Sequence, residues 1–207
     1  MIVNTRKISR KEAEEARHRT ILEIAIKEFS ENGYYETDVD TIAQKANVGK
    51  GTVYRHFGNK RSLFLSVVEW GIESLKDKTD TALKDITGIQ NRIRKALYVY
   101  FEFFEKHKTF FRILFQERNN FRENVESRFE DKYFSNIRLL ENIIKTGIDT
   151  GEFKNIDPYQ SAVLLIGMLN ASIMDWLYKG TEDMLADRIT LIEEIYFRGS
   201  IKQPGGE

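Results

Sequence analysis

"ANVGKGTVYRHF", Ala46 to Phe57, sets Lys50, Arg55 and His56 around a glycine, a threonine and a tyrosine. A short apolar pattern precedes it. Val39, Ile42, Ala43 and Ala46 fall at i, i+3, i+4 and i+7, one face of a helix with Asp38 as its N-cap. "NVG" makes a turn, and a second short helix runs from Lys50 to Phe57. There Val53 and Phe57, four apart, point inward and leave Lys50, Thr52, Tyr54, Arg55 and His56 outside. Three chemistries suit such a stretch: a nucleotide-phosphate loop, acid–base catalysis, or contact with nucleic acid.

The first fails on spacing. A phosphate loop needs Gly, four residues and Gly-Lys-Ser/Thr after a strand. Gln44 stands at the first glycine position, Gly51 replaces the hydroxyl residue, and the preceding segment has helical period. Catalysis has no constellation to work with. His18, His56 and His107 lie far apart with no nucleophile–base pattern, and no HExxH spacing suggests a metal. The chain has no cysteine, which excludes thiolate nucleophiles, disulfides and Cys-ligated metal. No catalytic residue, metal site or cofactor is therefore expected, and no enzymatic activity. A helix-turn-helix remains, over about residues 38–57. Its second helix would offer its N-terminus to phosphates and its cations to the major groove.

Outward from this stretch the chain reads as helix throughout, broken by only two prolines, Pro158 and Pro204. A first helix spans about Glu12–Asn32, with Ile21, Leu22, Ala25, Ile26 and Phe29 as its stripe and Gly33 at the C-cap. A long helix follows the recognition stretch from Lys60 towards Ala82, and five more are expected beyond it. Asp157 and Pro158 cap one that runs to Gly180, and the last spans about Glu182–Gly199. The net charge of zero is uneven: residues 1–62 carry 12 Lys/Arg against 9 Asp/Glu, and residues 63–207 carry 20 against 23. Arg6, Lys7, Arg10 and Lys11 form a basic arm suited to a polyanion. No apolar run reaches the roughly 20 residues of a membrane span, and the N-terminus has no signal-peptide pattern, so a cytoplasmic location is expected.

The segment "ILEIAIKEFSENGYYETDVDTIAQKANVGKGTVYRHFGNKRSLF", Ile21 to Phe64, resembles the DNA-binding domain of the TetR family of bacterial transcriptional regulators. The resemblance implies an all-α, nine-helix subunit. Residues 1–62 would be the arm and helix-turn-helix domain, and residues 63–207 a ligand-binding and dimerisation domain. It implies a homodimer on double-stranded operator DNA, a repressor released by a small apolar effector. By position, Lys50, Gly51 and Arg55 would face bases; Tyr54, His56 and Lys60 would hold phosphates, with Thr52 assisting. Two residues depart from the family pattern. Asp38 stands where Thr is common, and Gly49 where Ser is usual; the first repels phosphate and the second lacks a hydroxyl. These departures favour one alternative, a helical small-molecule-binding or structural protein with weakened or lost DNA binding.

The second half is rich in aromatics: Tyr98, Tyr100, Phe101, Phe103, Phe104, Phe110, Phe111 and Phe115. Each suits a plain core, and together they suit an apolar cavity. The expected pocket is Tyr98, Phe101, Phe104, Phe111 and Phe115, with Tyr133, Asn170 and Trp176 as polar handles. The helix after Pro158 and the last helix are more apolar than one core face needs. Family likeness implies that they pair with their copies, through Ala162, Ile166, Leu169, Ile192 and Tyr196.

Overall fold

The computed structural model describes residues 9–108, 110–111, 135–180 and 185–200, and among them it is all-α, with eight α-helices and one 3-10 turn. Helix α1, Arg10–Glu36, starts at a capping box that the expected start at Glu12 missed. The Ser9 hydroxyl accepts the Glu12 N–H at 3.1 Å, and the Ser9 N–H donates to the Glu12 carboxylate at 2.7 Å. The helix breaks at Gly33, where φ 77° and ψ 179° suit glycine alone. Every residue from Ser9 to Thr20 is exposed, so α1 has buried side chains only from Ile21 onward.

Helices α2 (Val39–Lys45) and α3 (Lys50–Phe57) stack on α1, and α4 (Lys60–Leu83) closes the unit from the far side. Ile21, Ala25, Phe29, Val39, Ile42, Ala43, Val53, Phe57, Leu63, Phe64, Val67, Val68 and Ile72 form one buried cluster. Phe29 and Phe64 meet edge to face at 5.1 Å. Truncating such a fully buried Phe typically costs about 3–5 kcal/mol. The carboxylate of buried Glu28 is held by Lys45 at 2.5 Å, which ties α1 to α2. The expected domain division at residue 62 falls inside this cluster, because four of its members lie on α4 before Gly71.

A second cluster begins at Leu75, one turn beyond Ile72 on the same helix. It is built by the rest of α4 with α5 (Ile89–Lys106), α6 (Ser135–Asp149), α7 (Pro158–Lys179) and α8 (Ile189–Ser200). At Gly71, just before Ile72, the second cluster reaches the head side of α4. A Cβ there would sit 2.0 Å from the Phe110 ring, so the ring occupies a notch in the α4 backbone. The Arg92 guanidinium donates to the carbonyls of Leu83 and Ile86, both at 3.2 Å, fastening the end of α4 to α5. At the start of α7 the Asp157 carboxylate accepts the Gln160 N–H at 2.8 Å, and Gly180 ends the helix in left-handed geometry, as the sequence predicts. The last helix differs. Leu185–Arg188 forms a 3-10 turn before α8, pinned to α7 by Arg188, which donates to the Ser172 carbonyl and the Asp175 carboxylate.

The expected dimer residues need correction. Ala162, Leu169, Ile192 and Tyr196 are buried inside the chain's own core, and Ile166 is half-buried. The exposed face of α7 is Gln160, Leu164, Gly167, Ala171, Met174 and Tyr178, and α8 exposes Leu191 and Ile195. Leu164 is 67% exposed and Tyr178 95%. This is why α7 alone among the described helices is long and apolar enough to cross a membrane by length and composition: it is apolar on both sides.

Of the expected pocket residues, Tyr98 stands on the outer face of α5, 43% exposed, and so is corrected. Phe101, Phe104 and Phe111 are fully buried, with Phe104 edge-on to Phe111 at 4.9 Å. Asn170 accepts a hydrogen bond from the Tyr100 hydroxyl at 2.7 Å, and Trp176 is buried beneath the Lys108 ammonium. Phe115 and Tyr133 lie outside the described residues. An open groove of about 410 Å³ runs between α1 and the end of α5, lined by Glu23, Ile26, Lys27, Ser30, His107 and Phe110 among others, and includes none of the expected pocket residues.

Candidate nucleic-acid interface

The turn between α2 and α3 is made by Asn47, at φ 53° the single non-glycine residue with positive φ among those described. Asparagine tolerates that region better than most residues. Val53 and Phe57 seat α3 on the first cluster, as their spacing requires, and the opposite face is open. Helix α3 starts at Gly49, whose backbone is extended and which supplies no side-chain cap. A Cβ at Gly51 would meet nothing within 4 Å, so packing does not demand this glycine and its bare surface faces outward. Asp38 caps α2 by accepting the Asp40 N–H at 2.9 Å.

The seven expected contact residues stand in four settings. Gly51, Tyr54 and Arg55 are exposed, Thr52 is half-buried at the first turn, and all lie on α3. Lys50 is exposed and paired: its ammonium lies 2.7 Å from the Asp40 carboxylate. Lys60, at the start of α4, donates to the Tyr35 carbonyl at 3.1 Å and lies 5.0 Å from the centre of the Tyr34 ring. It thus joins the break of α1 to the start of α4 while keeping two N–H donors.

His56 departs from expectation. Its ring turns toward α1, edge-on to His18 at 5.8 Å, and its Nε2 is enclosed with no hydrogen-bond partner among the described residues. His18 in turn stacks on Phe57 at 4.4 Å. A ring so enclosed does not offer that nitrogen to a phosphate; it helps seat α3 against α1. Burial first, then the positive charge of His18 and Arg55, holds His56 below the ordinary histidine value of 6.5. Burial holds His107 down as well.

A depressed histidine makes stability pH-dependent in a definite direction. The unfolded chain binds the proton more readily, so stability is full above the unfolded value and falls as pH drops through it. The melting temperature should therefore decline between about pH 7.5 and about pH 5.5, and His56→Gln should flatten part of that decline. A wild-type profile level across this range would count against the buried geometry. Glu12, Glu102 and Asp175 do not confuse the reading, because their hydrogen-bond partners hold them below the ordinary carboxylate range.

A three-helix head with an open cationic second helix is what a helix-turn-helix presents to a major groove. Known proteins carry the same arrangement. Residues 21–67 match the family described as bacterial regulatory proteins, tetR family, and residues 87–189 match its tetracyclin repressor-like C-terminal domain. The chain belongs to the TetR family.

One relative is the uncharacterized HTH-type transcriptional regulator YhgD of Bacillus subtilis. It is 31% identical over 160 residues, which are 77% of this chain and 84% of the relative. The fatty acid metabolism regulator protein of the same species is 19% identical over 162 residues, covering 78% of this chain and 84% of its own. Among solved structures, the regulator FadR from Bacillus subtilis in complex with stearoyl-CoA superposes with a TM-score of 0.74 at 19% identity, covering 88% of this chain and 98% of that one. This TetR-family chain is thus a helix-turn-helix DNA-binding transcriptional regulator.

Proposed function

We propose that the protein is a homodimeric repressor, active in the cytoplasm and without enzymatic activity, that leaves its operator when an apolar effector of the fatty-acyl type binds. The observation that carries this reading is the open cationic face of α3, set on a head that α4 joins directly to an aromatic core. Residues 1–62, with the first half of α4 packed on them, would read DNA; the remainder of 63–207 would bind effector and pair with its copy. Arg55, Lys50 and Gly51 would meet base edges, and Thr52, Tyr54 and Lys60 would meet phosphates. The effector would enter among Phe101, Phe104 and Phe111, near Asn170 and Trp176. The stearoyl-CoA held by the FadR neighbour supports the acyl class.

The mechanism is a shift between two separations of the paired heads. Half-sites lie about one helical turn, or 34–36 Å, apart. An effector that fits only one arrangement of the second core moves α4, and the head moves with it. By linkage DNA weakens effector binding by the same factor.

Fluorescence anisotropy with the DNA upstream of the protein's own gene tests this. Wild type should bind it, stearoyl-CoA should release it, and Arg55→Ala should weaken binding by about 1–3 kcal/mol, or roughly five- to 150-fold. A specific observation favours a second reading, a helical ligand-binding protein with weakened DNA contact: Asp38 and Asp40 both stand at the start of α2, where phosphate would approach. Stearoyl-CoA binding without any DNA shift would select that reading.

A further inference from the structure

The Asp40–Lys50 pair spans the helix-turn-helix itself, joining the first turn of α2 to the first residue of α3. Asp38, next to it, spends its side chain capping its own helix. Both members of the pair stay open to solvent, with side chains 44% and 51% exposed. An exposed pair of this kind is worth no more than about fivefold in an equilibrium constant, so it exchanges readily. The hydrogen bond from Lys50 to Asp40, the largest cause, raises the lysine above its ordinary range, so the ammonium is fully charged at any working pH.

We propose that Asp40 is a specificity-determining residue of the DNA-reading face, a built-in counter-ion that withholds Lys50 from phosphates and leaves it able to meet base edges. This rests on the reading that Lys50 faces DNA. Binding to arbitrary sequence is driven by counter-ions that leave when lysines and arginines meet phosphates. A lysine whose counter-ion is a fixed carboxylate releases no ion when it moves to a phosphate, and it leaves that carboxylate facing a second anion. Base edges impose no such penalty. Guanine O6 and N7 are neutral acceptors, and an ammonium has three N–H donors. One can stay on Asp40 and orient the group while the other two reach the base.

Salt titration on a short duplex of arbitrary sequence, between about 50 and 200 mM, reads this without knowledge of the operator. Asp40→Asn should tighten binding and steepen the slope of log K against log salt by about 0.9 for each engaged subunit. Asp40→Ser, a second way to remove the carboxylate, should do the same, and circular dichroism reports whether each variant keeps its helices. In the double variant Asp40→Asn/Lys50→Gln the slope should return to that of wild type. A slope that Asp40→Asn leaves unchanged overturns the proposal. So does a double variant that keeps the steeper slope, or one about 0.9 shallower than wild type, since Lys50 would then already sit on phosphate. A wild-type protein that binds no duplex even at low salt overturns the helix-turn-helix reading itself.

Discussion

Leu164→Glu should yield monomers and lower operator affinity by about a hundredfold or more, while helix content and melting temperature stay near wild type. Leu164 lies on the exposed α7 face with Gly167, Ala171, Met174 and Tyr178, and α8 exposes Leu191 and Ile195. Gly167 has nothing within 4 Å of a would-be Cβ, so a second helix can approach its backbone closely. A two-fold interface uses the same patch on both subunits, so one substitution introduces two carboxylates. Burying them without partners exceeds what an interface of roughly 800 Å² per subunit tolerates. The head is untouched, but two heads no longer share one DNA-bound state. Size-exclusion chromatography with light scattering and anisotropy on operator DNA read the outcome; an intact dimer at normal affinity would sink the placement. Leu169→Glu, by contrast, would put a charge into the chain's own core, since Leu169 is 1% exposed, and would report on folding.

Gly71→Val should cost about 2–3 kcal/mol of stability through overpacking. The first side-chain atom would fall 2.0 Å from the Phe110 ring, and that ring is 2% exposed, stacked 6.4 Å from Phe104 and edge-on to Phe103 at 6.2 Å. It also lines the groove between α1 and the end of α5, and swinging into that groove would forfeit its packing on Phe103 and Phe104. The better helix propensity of the new residue offsets only part of the clash. Phe110→Ala alone should cost about 3–5 kcal/mol by opening a cavity. In the double variant the valine methyls occupy part of that cavity, so the combined loss should fall well below the sum. Additive losses in thermal or urea unfolding would show that ring and notch do not touch.

Local pattern carried most of the fold. The inward spacing of Val53 and Phe57, the Gly33 break, the Asp157–Pro158 start and the Gly180 stop all depend on a few neighbouring residues, and each stands where the pattern puts it. Phase was harder to read. Helix α7 is apolar on both sides, so its sequence does not say which side meets its own core, and Leu169 could not be told from Leu164. His56 looked outward by its place on α3, yet the exposed start of α1 passes beside it and turns the ring inward. The Asp40–Lys50 and Glu28–Lys45 pairs depend on how helices cross, which short-range spacing does not encode. The Ser9-to-Glu12 capping box, by contrast, is local and is spelled by "SRKE".

The continuity of α4 bears on how such proteins can be recombined. Leu63, Phe64, Val67, Val68 and Ile72 complete the core of the head, and Leu75 opens the next. A chimera spliced at residue 62 would graft a head without the wall it folds against and leave its recipient with a foreign one. The two sets of α4 side chains divide inside the helix, between Ile72 and Leu75, less than one helical turn apart, with Phe110 of the second core reaching across to Gly71. Exchange of DNA specificities within this architecture should therefore succeed when the graft carries the following helix through Ile72 along with the head.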